Sequence, residues 1–314
     1  MDKKFSFEYD ESFIVTEEYL TKLPDLQSGE IKGSPVDIEK VGISNFHLPL
    51  KIKRKDGSYN ELECSIIGTV SLEAFKKGIN MSRILRTFYE YKDSYFDIEK
   101  LTEVLDSYSK NLGSFDAYIL CSFNYRIWQE SLRSKNKNGD SNGGWQYYKV
   151  VFEVSYNSGK LEKVIHLDFP YSSACPCSSE LSLHAMEQRN KYSIPHSQRS
   201  IAKVSIKFNK EIVWIEDIVE ACRKALKTET LVFCKREDEQ AFAELNGANT
   251  KFVEDAVRLL FEELNKDERI TDFKVIASHN ESLHSHDAIA VITKGVDGGF
   301  NDNFSFAELK SLVY

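Results

Sequence analysis

The sequence predicts an α+β fold in which antiparallel sheets pack against paired helices. β-rich segments occur in pairs that a short turn can join, and amphipathic helical segments also follow one another in pairs. Both kinds of pair occur in each half of the chain. A polar, glycine-rich stretch from Ser134 to Gly144 separates the halves and predicts a surface loop. We therefore predict two comparable units, residues 1–145 and residues 146–314.

The first unit is predicted to contain strands on either side of a helical middle. Residues 62–72, with the sequence LECSIIGTVSL, are rich in β-branched residues and favour a strand. Residues 81–91 and 97–109 have the apolar spacing of amphipathic helices, and residues 115–125 favour a further strand. The predicted order is therefore strand, two helices, strand.

The second unit is predicted to begin with a hairpin. Residues 147–156 and 161–169 are β-rich, and the sequence Asn-Ser-Gly over residues 157–159 favours a turn between them. The later elements are, in chain order, a helix over 179–189, a strand over 201–208, helices over 215–226 and 251–264, and strands over 273–278 and 288–293. The apolar face of the last helix is predicted to consist of Phe252, Ala256, Leu259, Leu260 and Leu264.

The charge balance argues against a protein that binds nucleic acid through its phosphates. The chain has 41 Lys and Arg against 49 Asp and Glu, a net charge of −8, so it has no basic surplus to displace counterions. No apolar run approaches the ~20 residues that a membrane helix needs. The first residues, MDKKFSFEYDESF, lack the apolar stretch of a signal peptide. We expect a cytoplasmic protein with no nucleic-acid or membrane partner.

The six cysteines are expected to be free thiols, because a cytoplasmic protein of this size does not need disulfides. Two of them, Cys175 and Cys177, flank Pro176 and precede polar residues. The other four are predicted to be small buried hydrophobic residues: Cys64, Cys121, Cys222 and Cys234.

The segment from Ser172 to Ser200 is the densest group of reactive side chains, with two cysteines, two histidines and several acids. A structural zinc knuckle usually needs two residues between its cysteines and a second such pair, which this chain lacks. One Cys, one His and one carboxylate would instead leave a coordination position open for water, as in a catalytic metal site. A turn with a buried cysteine and a surface histidine is the alternative.

The acidic segment from Phe233 to Arg258 contains Glu254 at the start of an apolar helix. A carboxylate there stays ionised near backbone amides and can accept two hydrogen bonds. Guanine presents a matching pair of donors, its ring N–H and its exocyclic amine. The alternative is that this segment is simply a solvated helical face.

Three of the seven histidines, His279, His284 and His286, lie within eight residues just ahead of an apolar strand. They are candidates for a metal cluster or for a general acid, because the pKa of histidine lies near neutral pH. The alternative is a set of polar residues at the entry to a strand.

Taken together, these segments resemble GTP cyclohydrolase type IB, a metal-dependent family. The matching pieces, in family order, are GINMSR (78–83), CPCS (175–178), PHSQRS (195–200), KREDEQ (235–240), KFVED (251–255) and ESLHSHDA (281–288). The family usually has His where this chain has Asn80. Each piece is weak alone, but six pieces in order are a specific match.

The resemblance implies a fold and an assembly. It predicts tandem T-fold (tunnelling fold) units, each a four-stranded antiparallel sheet packed against paired helices. It also implies a homotetramer with active sites between subunits. The implied reaction is the hydrolysis of GTP to 7,8-dihydroneopterin triphosphate and formate, the first step of tetrahydrofolate (pterin) biosynthesis.

The resemblance also implies site residues. Cys175, His196 and Glu239 would bind a divalent metal, which the mixed ligand set allows to be Zn²⁺, Mn²⁺ or Fe²⁺, and Glu254 would bind the guanine edge. His184 remains an alternative to His196. Three other acids remain alternatives to Glu239: Glu237, Asp238 and Glu244.

The implied chemistry suggests further roles. Water must add to C8 of guanine, and a bound cation lowers the pKa of water. His284 or His286 is a candidate proton donor for opening the imidazole ring. Arg199, Lys235 and Arg236 are candidates for binding the triphosphate, or they are ordinary surface ion pairs.

Two other hypotheses remain open. One is the T-fold nitrile reductase of queuosine synthesis, which uses its cysteine as a nucleophile and needs no metal. The other is a non-catalytic purine-binding protein with the same fold. Formate production from GTP would distinguish an enzyme from a non-catalytic protein, and metal dependence would distinguish a hydrolase from a reductase.

Overall fold

The strands of the protein form one continuous sheet, and most of the helices pack on a single face of it. The structure is a computed structural model that describes residues 7–24, 29–114, 116–305 and 308. The elements are, in chain order, α1 (Glu17–Thr21), β1 (Ile38–Lys53), β2 (Tyr59–Leu72), α2 (Ser82–Glu90), β3 (Tyr95–Phe96), α3 (Ile98–Leu112), β4 (Ala117–Lys135), β5 (Ser141–Asn157), β6 (Lys160–Ala174), α4 (Pro176–Arg189), β7 (Ser197–Phe208), α5 (Ile215–Leu226), α6 (Arg236–Ala248), α7 (Val253–Leu264), β8 (Ile270–His279) and β9 (Ala288–Thr293).

The sheet has nine strands in the order β3-β1-β2-β4-β5-β6-β7-β8-β9. Every neighbouring pair is antiparallel except the short parallel pair of β1 and β3. From β1 to β5 the chain forms two strands, a helical segment that includes the short β3, and two more strands. From β6 to β9 the order is similar, except that α4 lies between the first two strands. These two stretches, the first repeat and the second repeat, join edge to edge through β5 and β6.

Alternating side chains explain why one face of the sheet is covered. In β4, for example, Ile119, Cys121 and Phe123 are buried in the core, while their neighbours Leu120 and Ser122 lie on the opposite face. Because side chains alternate with a period of two, this pattern fixes which face the helices cover.

The helices begin and end where local chemistry satisfies their free backbone groups. α3 begins after Asp97, whose side chain accepts a hydrogen bond from Lys100 N, and ends at Gly113 with a positive φ of 63°. In α7, Phe261 packs edge to face on Phe273 of β8, with ring centroids 5.2 Å apart. Among the described residues, no helix is long and apolar enough to cross a membrane.

The predicted elements are present, but β4 and β5 extend well beyond their predicted bounds. α4 begins at Pro176, three residues earlier than predicted, because proline fits the first position of a helix. β1 was not predicted, since the first part of this strand is exposed and lacks a regular apolar alternation. On α7, Ala256, Leu260 and Leu264 are buried as predicted.

Two residues of the predicted apolar face of α7 are exposed, which corrects that prediction. Leu259 is 38% and Phe252 is 41% exposed. Successive helix positions are about 100° apart, so Leu259 points away from the stripe that contains Leu260. Phe252 precedes the first residue of the helix.

The predicted surface loop between Ser134 and Gly144 is shorter than expected, because β4 extends to Lys135 and β5 begins at Ser141. The turn between them is closed by Asn136, whose side-chain oxygen accepts from Asn138 N and Asp140 N. Gly143 allows β5 to lie close to β4, because a Cβ at this position would lie 2.4 Å from Gln129 O and 2.9 Å from the Trp128 ring. The predicted division after residue 145 falls inside β5.

The packing of α7 yields a matched pair of stability tests. We expect Leu260→Ala to lower the free energy of unfolding by about 2–5 kcal/mol, because it leaves a cavity at a fully buried position. Leu259→Ala should change it by less than about 1 kcal/mol, because that side chain is exposed. Urea unfolding followed by circular dichroism measures both. Equal losses in the two variants would contradict this assignment of the buried face.

Candidate active site

The antiparallel pairing of β6 and β7 brings Cys175 next to His196. Ala174 at the end of β6 lies opposite Ser197 at the start of β7. Cys175 N donates a hydrogen bond to His196 O at 3.2 Å, and His196 N donates to Ser178 Oγ at 3.2 Å. Both residues are half-buried. Two residues that are 21 positions apart in the printed sequence thus lie next to each other through their backbones.

The imidazole ring of His196 is held by its neighbours on the same strand. Its Nδ1 lies 3.1 Å from Gln198 Oε1. Gln198 Nε2 donates to Ser173 Oγ at 2.6 Å, and Ser173 Oγ lies 2.8 Å from Ser200 Oγ. The motif PHSQRS therefore places alternate residues of β7 in one hydrogen-bonded row. Gln198 is not among the predicted site residues, although its spacing of two from His196 on a strand places both side chains on one face.

A cavity of about 990 Å³ opens beside this pair. Ala174, Ser197 and Gln198 line it on the side of the sheet. Cys175 and His196 are not among the lining residues but adjoin Ala174 and Ser197 in sequence. Helices α4 and α6 form other walls. Its size is at the upper end of the range usual for small-molecule sites, roughly 300–1,000 Å³.

Helix α6 places Glu239 on the wall of the cavity. The lining residues of this helix have helical spacing and form one face: Glu239, Phe242, Ala243, Asn246 and Gly247. The two nearest alternatives have other roles. Asp238 is fully buried away from the cavity, and Glu244 pairs with Arg133. Glu237 is exposed and does not line the cavity.

Asp238 connects α6 to the end of β4. Its carboxylate accepts hydrogen bonds from Arg133 N and Ser134 N at 2.8 Å, and from Lys235 N at 3.0 Å. Burial alone would raise the pKa of Asp238, but hydrogen bonds from Ser134, Lys235 and Arg133 outweigh burial and hold that pKa well below its usual range. This residue therefore positions the helix that carries Glu239.

His184 lies on α4 but is exposed and outside the cavity. The residues of α4 that line the cavity are Ser179, Ser182, Leu183 and Met186. Cys234 also lines the cavity and is exposed, which corrects its prediction as a buried hydrophobic residue. It lies in the connection between α5 and α6, where no sheet covers it.

Glu254 is exposed in the first turn of α7 and has no hydrogen bond or ion pair within the described ranges. The neighbouring Asp255 instead caps the helix by accepting from Phe252 N at 3.0 Å. Lys251 N donates to Ala174 O at 3.1 Å, so the start of α7 lies against the residue before Cys175. The two segments predicted to bind metal and guanine are therefore adjacent.

The three clustered histidines occupy two environments. His284 and His286 are exposed, and their rings stack with centroids 4.6 Å apart. Their loop lies against the start of β7, since Ser282 Oγ donates to Ser197 O at 3.3 Å. His279 instead is buried in β8 and hydrogen-bonds the Tyr171 hydroxyl at 2.9 Å.

Of the predicted phosphate ligands, Arg199 lines the cavity and is exposed. Lys235 and Arg236 are exposed at the start of α6 and do not line it. Lys235 Nζ donates to Lys135 O at 3.4 Å. The cations are thus spread around the cavity and the start of α6.

Within the described part of the single chain, no three His, Cys, Asp or Glu side chains are arranged as a metal site. The donor chemistry nevertheless fits a catalytic cation. Cys175 and His196 are adjacent, and Glu239 lies on the wall of the cavity that they flank. A sulfur, a nitrogen and an oxygen donor suit zinc, manganese or iron.

Comparison with solved structures defines the class of fold. The uricase of Arthrobacter globiformis superposes with a TM-score of 0.51 at 9% identity, covering 88% of this chain and 98% of the uricase. At that identity the likeness concerns the fold alone. The protein is therefore an α+β protein with a uricase-like sheet.

Comparison of sequences defines the family. A family model described as type I GTP cyclohydrolase folE2 matches residues 23–290. GTP cyclohydrolase FolE2 of Paracoccus denitrificans is 48% identical over 312 residues, which cover 98% of this chain and 94% of the relative. FolE2 of Dinoroseobacter shibae is 51% identical over 293 residues, covering 91% and 78%. The chain belongs to the type I GTP cyclohydrolase folE2 family.

The anchoring role of Asp238 can be tested through stability. We expect Asp238→Ala to lower the free energy of unfolding by about 2–4 kcal/mol, because three backbone N–H groups lose their acceptor near a buried position. Glu237→Ala, an exposed change on the same helix, should cost less than about 0.5 kcal/mol. Urea unfolding of both variants provides the comparison. A neutral Asp238→Ala would show that α6 is held by other contacts.

His279 should make stability depend on pH. Burial, with the nearby Lys251 charge, lowers the pKa of His279 from the usual 6.5 to about 4. As pH falls through 6.5 the unfolded chain binds a proton that the folded protein does not, so stability falls by up to about 3 kcal/mol until pH reaches about 4.

We expect His279→Gln to flatten the dependence of unfolding free energy on pH between 6.5 and 4.5. His184→Gln, at an exposed position, should leave the wild-type slope unchanged. Chemical unfolding at several pH values measures both slopes. An unchanged slope in His279→Gln would mean that this histidine titrates normally in the folded state.

Proposed function

We propose that the protein is a metal-dependent GTP cyclohydrolase that converts GTP and water to 7,8-dihydroneopterin triphosphate and formate. It is an enzyme of folate biosynthesis, as its relatives at about 50% identity are GTP cyclohydrolases. The observation that carries the proposed chemistry is the adjacency of Cys175 and His196 beside a cavity lined by Glu239.

Cys175, His196 and Glu239 are proposed to hold the divalent cation. Zn²⁺, Mn²⁺ and Fe²⁺ each suit this donor set. When bound, the cation supplies a Lewis acid that lets water act as a nucleophile near neutral pH. The backbone contact of His196 with Cys175 supports His196 over His184, and the hydrogen bonds of Asp238 to backbone amides support Glu239 over Asp238.

Glu254 is proposed to hold the base. Its carboxylate would accept hydrogen bonds from the guanine ring N–H and the exocyclic amine, which fixes the orientation of C8 and lowers the entropic barrier to attack. Exposure and the absence of a competing partner in the described residues support this role. The triphosphate would extend toward Arg199, Lys235 and Arg236, whose charges match phosphate oxygens.

His284 and His286 are the proposed proton donors. Opening of the imidazole ring requires a proton on its departing nitrogen, and histidine is suited to give one near neutral pH. The contact between Ser282 and Ser197 supports this assignment, because it holds the histidine loop beside the strand that carries His196. Release of formate, rearrangement of the ribose and ring closure then give the dihydropterin.

We propose further that the chain consists of tandem T-fold units and assembles as a homotetramer. The similar order of elements in the two repeats supports two units, and we propose their boundary in the turn between β5 and β6 instead of at residue 145. Asn80 and Arg83 of the GINMSR segment line a separate cavity in the first unit. Because this segment does not line the cavity beside Cys175, we propose that it contributes to a site on another subunit. All six cysteines are free thiols, which fits a protein of the reducing cytoplasm. We propose GTP as its partner, and neither nucleic acid nor a membrane.

The proposed reaction is tested with protein stripped by a chelator and then supplied with GTP and either Mn²⁺ or Zn²⁺. We expect formate and, after oxidation, pterin fluorescence only when metal is present. Cys175→Ala, Glu239→Gln and Glu254→Gln should each lower turnover at least about 100-fold, because each removes a proposed contact to the cation or the base.

Two matched variants control for general damage. Glu237→Gln lies on the same helix as Glu239, and Glu262→Gln lies on the same helix as Glu254; both are exposed and should retain turnover. GTP bound without formate under any metal would favour a non-catalytic purine-binding protein. Metal-independent turnover would contradict the proposed cation and favour the chemistry of a cysteine nucleophile.

A further inference from the structure

A row of hydrogen bonds runs from the imidazole of His196 into the buried part of the sheet. Gln198 Oε1 lies 3.1 Å from His196 Nδ1, and Gln198 Nε2 lies 2.6 Å from Ser173 Oγ. Ser173 Oγ in turn lies 2.8 Å from Ser200 Oγ. Both serines are fully buried, whereas His196 and Gln198 are half-buried. The row therefore joins an accessible ring to a rigid interior.

The register of β6 and β7 dictates this row. Gln198 lies directly opposite Ser173, and directly opposite residues of antiparallel strands share one face of the sheet. His196, Gln198 and Ser200 alternate along β7 on the face that continues as Ala202 in the core. A change of register by one residue would separate all of these side chains.

The amide of Gln198 faces its two neighbours with different ends. Its oxygen, which can only accept, is directed at His196 Nδ1, and its nitrogen, which can only donate, is directed at Ser173. The Ser173 hydroxyl also forms a hydrogen bond with the Ser200 hydroxyl, in which either oxygen can be the donor. In this arrangement Nδ1 of His196 carries the proton and Nε2 keeps its lone pair.

We propose that Gln198 is a positioning residue that fixes the ring of His196 with the proton on Nδ1 and leaves Nε2 as the metal ligand. The inference rests on the proposed cation site at Cys175 and His196. Nε2 has no hydrogen-bond partner in the described ranges of the chain, whereas Nδ1 is occupied. A ligating histidine characteristically donates its other N–H to an acceptor that holds the ring in place.

A neutral amide in this position also sets the charge of the site. One thiolate and one carboxylate balance a divalent cation, and the amide oxygen of Gln198 adds no further charge. A carboxylate at position 198 would still accept from Nδ1–H, and would increase the basicity of the ring. Ser173 could keep its bond to that carboxylate by rotating its hydroxyl toward it. Gln198→Glu is therefore a conservative variant, and Gln198→Leu removes the acceptor.

The first experiment determines which nitrogen of His196 carries the proton. Metal-free protein labelled with ¹⁵N-histidine gives distinct nitrogen shifts for the two tautomers, and a His196→Gln sample identifies the signal. We expect the Nδ1–H form in the wild type and in Gln198→Glu. In Gln198→Leu we expect the Nε2–H form or a mixture, because a free imidazole favours Nε2–H.

The second experiment measures Zn²⁺ affinity by competition with a chromophoric chelator. We expect Gln198→Leu to weaken binding by roughly 10–100-fold, and Gln198→Glu to bind at least as tightly as the wild type. Gln188→Leu, the same chemical change at an exposed position of α4, should leave affinity unchanged. Gln198→Met, which keeps the length of the side chain, replaces Gln198→Leu if thermal unfolding shows that the latter is not folded.

The outcomes separate this inference from the proposed function. If Cys175→Ala and His196→Gln abolish Zn²⁺ binding while loss of the amide changes neither tautomer nor affinity, Gln198 has no positioning role and the cation site stands. An Nε2–H tautomer in the wild type also overturns the inference, because the amide would then be turned around. If Cys175→Ala leaves Zn²⁺ affinity unchanged, the cation site itself is wrong, whatever Gln198 does.

Discussion

The pairing of β6 with β7 is the constraint on which the site depends. Eleven residues of each strand are held in one register, from Val164 opposite Lys207 to Ala174 opposite Ser197. At the second of these ends Cys175 follows Ala174 and His196 precedes Ser197, so the two residues meet there. Helix α4 connects the two strands at this end of the ladder. Its length therefore has little effect on whether Cys175 and His196 lie next to each other. The ladder therefore tolerates an insertion between cysteine and histidine.

The opposite wall of the cavity is fixed by a different and longer-range contact. Helix α6 belongs to the second repeat, yet its first turn is held by Asp238 on the backbone of β4 in the first repeat. The first half of the chain thus positions a carboxylate that the second half provides. This contact gives a physical reason for the two repeats to form one continuous sheet.

Much of the fold could be predicted from periodicity. The observed bounds of α5 and β9 match the predicted bounds to the residue, because α5 has buried residues at helical spacing and β9 is a short, mostly apolar run. β1 and the start of β5 were missed, because strands exposed at their ends carry no such pattern and the glycines of β5 mimic a loop. The prediction that Cys234 is buried was wrong for a related reason. Apolar neighbours in the sequence do not ensure that another element packs over a residue in the fold.

The site was predicted only as a set of residue types. Motif order identified Cys175, His196 and Glu239, and the structure brings the first two together. What the sequence left open was geometry. Whether His184 or His196 lies beside Cys175 depends on the pairing of β6 with β7, and the choice among four acids depends on which one caps α6 and which one lines the cavity. These depend on tertiary contacts, which local patterns do not encode.

The hairpin of β4 and β5 has a consequence for how the chain folds. β2 pairs with β4 only up to Ser122, and β6 pairs with β5 only from Lys149 onward, so the rest of the hairpin is a two-stranded ribbon that these two neighbouring strands do not extend. Its far end is secured by bonds from Gln129 to Thr230 and from Arg133 to Asp238, which span 101 and 105 residues of sequence. On a ribosome those partners emerge long after the ribbon. Two-stranded ribbons are marginal alone, and contacts so distant in sequence form slowly. The ribbon edge therefore stays open to wrong pairing during synthesis, and the wall that carries Glu239 is completed late in folding.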